Sequence, residues 1–410
     1  MYAVALGDGD NDGEMEVYGA SRDGSVYQFE WDGAVWTKTT VGSGGSMMYG
    51  AGVGDGNNDE EIEVYGANHD GRAYGYKWNG ATWDTDTVGI GWTYVLSVAA
   101  GDGDGDGEIE VYGGDDFGYI HQYKWNGVSW ASAPIGSGLD WMKGIAVGDG
   151  NNDGGLEVYG ACMDHQAYQF KWEGSSWVMD TIGYGWDYML GIAVGDGDGD
   201  GEQEVYGASW DYSVYRFAWD GANWLKTTAG FPATGVLGVA VGDGNGDGEP
   251  EVYGACWGQN VYQFKWDGFT WLEEVVGTAD APLRGVALGD GNGDGEMEVY
   301  GVDDANNVYQ FKAGIVGVQE VRPVRGSCRF RPTSDPARGR AEFRLDLPVA
   351  AEVALTIHDA AGRIVERPVS GRKAAGTHDF RCSPQMGPGV YFYRLDLPWE
   401  TKSGKFVLIR

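Results

Sequence analysis

Carboxylates recur in this 410-residue chain at alternate positions of a short glycine-rich loop. The third copy reads Asp102-Gly-Asp104-Gly-Asp106-Gly107-Glu108-Ile-Glu110. Oxygen side chains at positions one, three and five, glycine at six and an acid at nine suit a hard cation such as Ca²⁺. Seven copies begin at Asp8, Asp55, Asp102, Asp149, Asp196, Asp243 and Asp290, each 47 residues after the last. They hold 31 of the 62 acidic residues of a chain whose formal net charge is −34. Cation-free loops of this kind would repel themselves, so bound cations are expected. The same charge argues against nucleic acid as a partner, because phosphate binding needs basic surface.

A fixed period of this length implies an array of units, none of which can bury its apolar face alone. Each copy reads as four short strands. In the first they are expected at Tyr2–Leu6, Glu14–Ala20, Ser25–Trp31 and Val35–Val41, with apolar alternation at Met15 and Val17 and a turn at Asp32-Gly33. Four antiparallel strands per unit is the pattern of a propeller blade. Copy seven, Leu288 to Lys312, lacks the fourth strand. Closed propellers often complete one blade from both termini, so the missing strand is expected before Met1, in a chain truncated at its start and therefore without a signal peptide; the alternative is that Gly314–Val321 fills the gap. Residues 313–410 carry 16 Lys and Arg against 10 Asp and Glu, net +6, and the period stops there. The chain is therefore read as all-β: a seven-bladed β-propeller over 1–312, a linker over 313–324, and a small immunoglobulin-like β-sandwich over 325–410. In the sandwich, strands are expected at Ala341–Leu347, Val353–Asp359 and Val390–Leu397.

Other chemistries find little support. A dinucleotide site needs a helix after its glycine-rich loop, and the carboxylates would repel pyrophosphate. The five histidines share no metal-ligand spacing, and there is no Gly-x-Ser-x-Gly elbow. No run of about 18 apolar residues is present to span a membrane. Cys162 and Cys256 share one repeat position in copies four and six and are expected as buried thiols; Cys328 and Cys382 are left open as a pair.

Eighteen tryptophans mark the chain. Twelve are periodic, from Trp31/Trp36 to Trp266/Trp271, and fit blade packing. Trp399 is in the C-terminal region. The other five, Trp92, Trp141, Trp186, Trp210 and Trp257, fall in the connections between blades or between second and third strands. In an up-and-down blade both connections open on the face opposite the acidic loops. Divergent loops on a rigid scaffold are where binding sites are usually built. Aromatics there could form a recognition surface, with Phe117, Tyr188 and Tyr212 nearby, or plug the central channel. Asp140, Asp164, Asp187 and Asp211 could accept hydrogen bonds from a ligand.

The acidic loops followed by Glu-Val-Tyr-Gly resemble the calcium-binding repeats of FG-GAP and VCBS type found in integrin-like propellers. That resemblance covers about three quarters of the chain and implies up to seven structural Ca²⁺ ions. Carried over, the ligands of copy one are Asp8, Asp10, Asp12, the Glu14 carbonyl and Glu16. Those of copy two are Asp55, Asn57, Asp59 and Glu63. Copy three offers Asp102, Asp104, Asp106, Glu108 and Glu110, and copy four Asp149, Asn151, Asp153 and Glu157. Copy five offers Asp196, Asp198, Asp200, Glu202 and Glu204, and copy six Asp243, Asn245, Asp247, Glu249 and Glu251. Copy seven closes the series with Asp290, Asn292, Asp294, Glu296 and Glu298. Glu60 stands in copy two where glycine should make the sharp turn, so that loop is expected to bind least well.

The last 80 or so residues resemble the C-terminal sorting domain of type IX secretion, close to FlgD-like immunoglobulin modules. The resemblance rests on Phe343–Pro348, Val353–Asp359, Gly362–Val365, Gly389–Leu395 and Lys405–Arg410; Arg331-Pro332-Thr333 stands where an Asn-Pro is usual. It implies export, to the medium or the outer cell surface. The expectation is a monomeric, calcium-stabilised, non-enzymatic protein that binds a glycan or cell-surface ligand through its tryptophan face. The alternatives are a polysaccharide lyase or hydrolase and a structural adhesion protein.

Overall fold

The computed structural model describes residues 1–312 and, beyond them, 329–333, 337–338, 340–347, 351–360, 362–374, 376–382, 387–397 and 400–409. The chain divides into two compact units, Met1–Val321 and Arg322–Arg410. No helix among the described residues is long and apolar enough to cross a membrane.

The first copy sets the pattern. Its strands are β1 (Ala3–Gly7), β2 (Glu16–Ala20), β3 (Ser25–Trp31) and β4 (Trp36–Ser43), joined in that order into one antiparallel sheet. The turn between β3 and β4 is held by Asp32, whose Oδ1 accepts the amides of Ala34 and Val35 at 2.8 Å, and by Gly33 at φ 88°. A register shift between Val26 and Tyr27 adds a residue to β4, which turns Val41 into the core while Thr37–Thr40 stay exposed.

The expected alternation in the second strand does not occur. Every residue of β2 is buried, and Met15 lies outside the strand and exposed. A sheet covered on both faces has no solvent side, so Gly19 and Ala20 are selected for size rather than polarity.

Among the described residues, the first unit contains six four-stranded sheets and one three-stranded sheet, Leu283–Phe311, in copy seven. First strands of successive sheets pack side by side, and Leu283–Gly289 of the last packs against β1, so the sheets form a closed ring. Two contacts repeat at the sheet boundaries. The second tryptophan of a pair meets the second-strand tyrosine of the preceding sheet edge-on, as in Trp83 with Tyr18 at 6.3 Å and Trp177 with Tyr112 at 6.2 Å. Trp36 meets Tyr300 at 6.0 Å in the same way and joins the last sheet to the first. Each fourth strand also offers a glycine to an aromatic of the next sheet: a Cβ on Gly136 would lie 2.5 Å from Phe170.

The second unit pairs two sheets. One holds Arg329–Pro332, Glu342–Leu347 and Gly376–Arg381; the other holds Ala337–Arg338, Glu400–Ile409, Gly389–Leu397, Ala351–His358 and Ile364–Lys373. Phe343, Leu345, Leu355, Ile357, Leu395 and Phe406 share the core. The expected linker 313–324, the segment Gly314–Val321, Cys328 and Trp399 lie outside the described residues.

Candidate functional site

Each acidic loop is folded by its own carboxylates. Asp8 accepts the amides of Asp12 at 2.9 Å and Gly13 at 3.0 Å, and Asp12 accepts that of Glu14 at 2.9 Å. The same three bonds recur in the other six copies, from Asp55 to Asp290. The turn needs a left-handed residue at position six; Gly13 has φ 96°, and Glu60 adopts the same region at φ 71°. Asn11, Asn58 and Asn152 at position four bind both backbone groups of Ile62, Ile109 and Gln203, tying their loops to the following copy.

The position-nine glutamates, Glu16, Glu63, Glu110, Glu157, Glu204, Glu251 and Glu298, are all buried. Each accepts the hydroxyl of the tyrosine two residues on, from Tyr18 to Tyr300, at 2.8–3.0 Å. Burial pushes Glu16 up to about 8, and Glu63 and Glu204 to about 7. The position-seven side chains Glu14 and Glu202 stand exposed at the rim.

The second oxygen of that glutamate separates the copies. In copies two, four, six and seven the position-three asparagine (Asn57, Asn151, Asn245, Asn292) donates to it at 2.6–2.8 Å. Lys77, Lys124, Lys171 and Lys265 on the third strands, and Lys312 just past the last of them, reach into their loops, pairing with Asp59, Asp106, Asp153, Asp247 and Asp294. Arg216 takes this part in copy five, 2.6 Å from Asp198 and 2.7 Å from Glu204. Copy one has Glu30 at the lysine position, and Gln28 bound to Asp10 at 2.7 Å. There Glu16 Oε1 and Asp10 Oδ1 are buried without a hydrogen-bond partner. Asp8, Asp10, Asp12 and Glu16 each offer an oxygen within 4.8 Å of the others; smaller groups form at Asp55/Asp59/Glu63, Asp102/Asp104/Glu110 and Asp196/Asp198/Glu204. These acidic clusters could hold metal ions. Copy one fits best, because its buried orphan oxygens have no internal cation.

At the opposite ends of the strands the copies differ. Trp92 is 62 % exposed, Trp186 79 %, Trp141 41 % and Trp257 39 %; Trp210 is half-buried and meets Trp257 edge-on at 5.7 Å. Trp92 stacks on Tyr119 at 4.6 Å. Phe117, Tyr188 and Tyr212 are also exposed. Asp211 and Asp164 are engaged within the fold. Asp211 accepts the Trp186 amide at 2.6 Å and the Tyr215 hydroxyl at 2.7 Å, and Asp164 accepts the Leu139 amide and Tyr168. They fasten an inter-sheet connection to the next turn, which leaves less of each carboxylate for a ligand. Among the described residues the Asp140 and Asp187 carboxylates cap only the following amides, of Trp141 and Tyr188.

One set of side chains on this face was not anticipated. Six residues before each loop stand Tyr2, Tyr49, Leu96, Lys143, Leu190, Leu237 and Arg284, and together they ring a central cavity of about 200 Å³ lined by all seven first strands. Comparing the copies at that position would have revealed the ring.

No family model matches the chain, and no curated protein matches it in sequence. Solved structures do resemble it. The chain matches one described as the crystal structure of BBS1N in complex with ARL6DN, soaked with mercury, with a TM-score of 0.55 and 12 % identity, over 77 % of this chain and 94 % of that one. The first unit is a β-propeller. That likeness shows the fold alone.

Proposed function

We propose that the chain is a secreted or cell-surface, calcium-stabilised protein whose seven-bladed propeller binds a glycan without cleaving it. The observation that carries this reading is the grouping of exposed aromatics, Trp92, Trp141, Trp186 and Trp257, in connections opposite the acidic loops. Exposed aromatics gathered at one end of a fold mark an interaction surface, and the flat faces of indoles suit sugar rings. On this reading the metal is Ca²⁺ and its part is structural. It would neutralise carboxylates that otherwise oppose one another in loops such as Asp8, Asp10, Asp12 and Glu16. The FG-GAP/VCBS resemblance, which no family model supports, is consistent with that part. The second unit would be an immunoglobulin-like sorting module, joined to the propeller by a linker over 313–324.

A glycan array probed with the protein in millimolar Ca²⁺ tests the reading. Retention of a defined saccharide class with its chain ends intact is expected. New chain ends would replace binding by lyase or hydrolase activity, and an array on which nothing is retained would leave protein adhesion as the better reading.

A further inference from the structure

Cations are scarce in the propeller, and most that do occur are spoken for. Five lysines and Arg216 enter the acidic loops. Arg284, on the ring around the central cavity, forms two 2.7 Å bonds to Asp304. Lys143 on the same ring has no carboxylate partner among the described residues. Its ammonium lies 5.0 Å from the Tyr49 ring centroid and 6.0 Å from that of Trp141. Arg284 lies likewise over Trp257, at 4.7 Å. Each ring cation is therefore paired with a tryptophan of the exposed face. Loss of hydration, reinforced by Arg284, pulls Lys143 down to about 8.

A half-buried ammonium with no counter-ion, in a chain of net charge −34, is a cost that an anionic ligand would relieve. Resting on the glycan reading, we infer that the face takes an acidic saccharide, a hexuronate-bearing oligosaccharide whose carboxylate meets Lys143 at the cavity while neighbouring rings stack on Trp141 and Trp257. Long-range repulsion does not forbid this. The acidic loops lie at the far ends of the first strands, which over seven residues span roughly 23 Å. The Debye length at physiological ionic strength is about 8 Å, so the loops are screened at the cavity while a direct, partly desolvated contact is not.

The test is calorimetric titration of the full chain in Ca²⁺ with a galacturonate trisaccharide and its methyl ester. The acid is expected to bind, the ester at least tenfold more weakly. Lys143→Met should lose the preference for acid over ester, Lys143→Arg should keep it, and both should melt as the parent does. Equal binding of acid and ester, or a preference intact in Lys143→Met, overturns the inference and leaves the glycan reading standing. Binding of inorganic phosphate with neither saccharide bound, or failure of both saccharides to bind, overturns the inference, and the glycan reading falls with it only if the array also retains nothing. Should Lys143→Met fail to fold, the acid-to-ester ratio of the parent protein decides alone.

Discussion

The two ends of the propeller use one repeat differently. At one end, seven loops make the same three hydrogen bonds from position-one and position-five aspartates, and every position-nine glutamate meets its tyrosine. At the other end the same copies carry Tyr2, Lys143 or Arg284 at one position and Arg22, Met163 or Trp257 at another. The loop end must satisfy buried carboxylates, and few residue types do that. The opposite end has no such demand, so its side chains are free to serve a ligand. Even the uniform end is not uniform in charge, since among the described residues copy one alone has no lysine or arginine reaching into its loop.

Chelation should separate the two ends most strongly. Excess chelator is expected to lower Tm by ten degrees or more, and millimolar Ca²⁺ to restore it by mass action. In chelator, stability should also fall as pH rises from about 5 to 8. The folded state holds protons on Glu16, Glu63 and Glu204 that the unfolded state has released, so it loses its advantage as these groups ionise. A melting curve indifferent to chelator across that range would remove the metal from the account.

Next come the tryptophans. Trp83→Ala removes a side chain packed on Tyr18 and Trp78 and is expected to cost about 2–3 kcal/mol in chemical denaturation. Trp186→Ala, at 79 % exposure, should change stability by no more than about 0.5 kcal/mol. Similar costs for the two would erase the distinction between scaffold and face.

A smaller effect concerns the tethered cations. Lys265→Met should leave Tm unchanged in Ca²⁺ and lower it by a few degrees in chelator, because Asp247, Glu249 and Glu251 then lose their shared partner. The hydrogen bond to Asp247 that now holds the Lys265 ammonium above its usual range disappears with it.

Much of this was legible in the sequence because the repeat is unbroken. Ser25–Trp31 could be read as a strand to its ends, and the paired tryptophans could be read as packing. Strand limits were missed where tertiary context overrides pattern. The bulge at Val26/Tyr27 carries β4 to Ser43, and burial on both faces erases the alternation expected at Met15. Ile364–Lys373 and Gly376–Arg381 alternate too weakly to be read as strands, since Ile364 and Val365 are both exposed while Val369 and Phe380 are the buried apolar positions of the two segments. Lys143 and Arg284 gave no signal within their own copies; their meaning comes from a ring that exists only once the sheets close. The engagement of Asp211 was equally hidden, because its partners Trp186 and Tyr215 lie on either side of it in sequence and meet it only in the fold.

The most direct test of the central claim, that one end stabilises and the other recognises, is a comparison of glycan retention and calcium-dependent melting in the parent protein and in Trp141→Ala/Trp186→Ala. The account predicts that the double variant loses retention at least tenfold while its melting, with and without Ca²⁺, follows the parent's. Undiminished retention, or a double variant that no longer folds in saturating Ca²⁺, would contradict it.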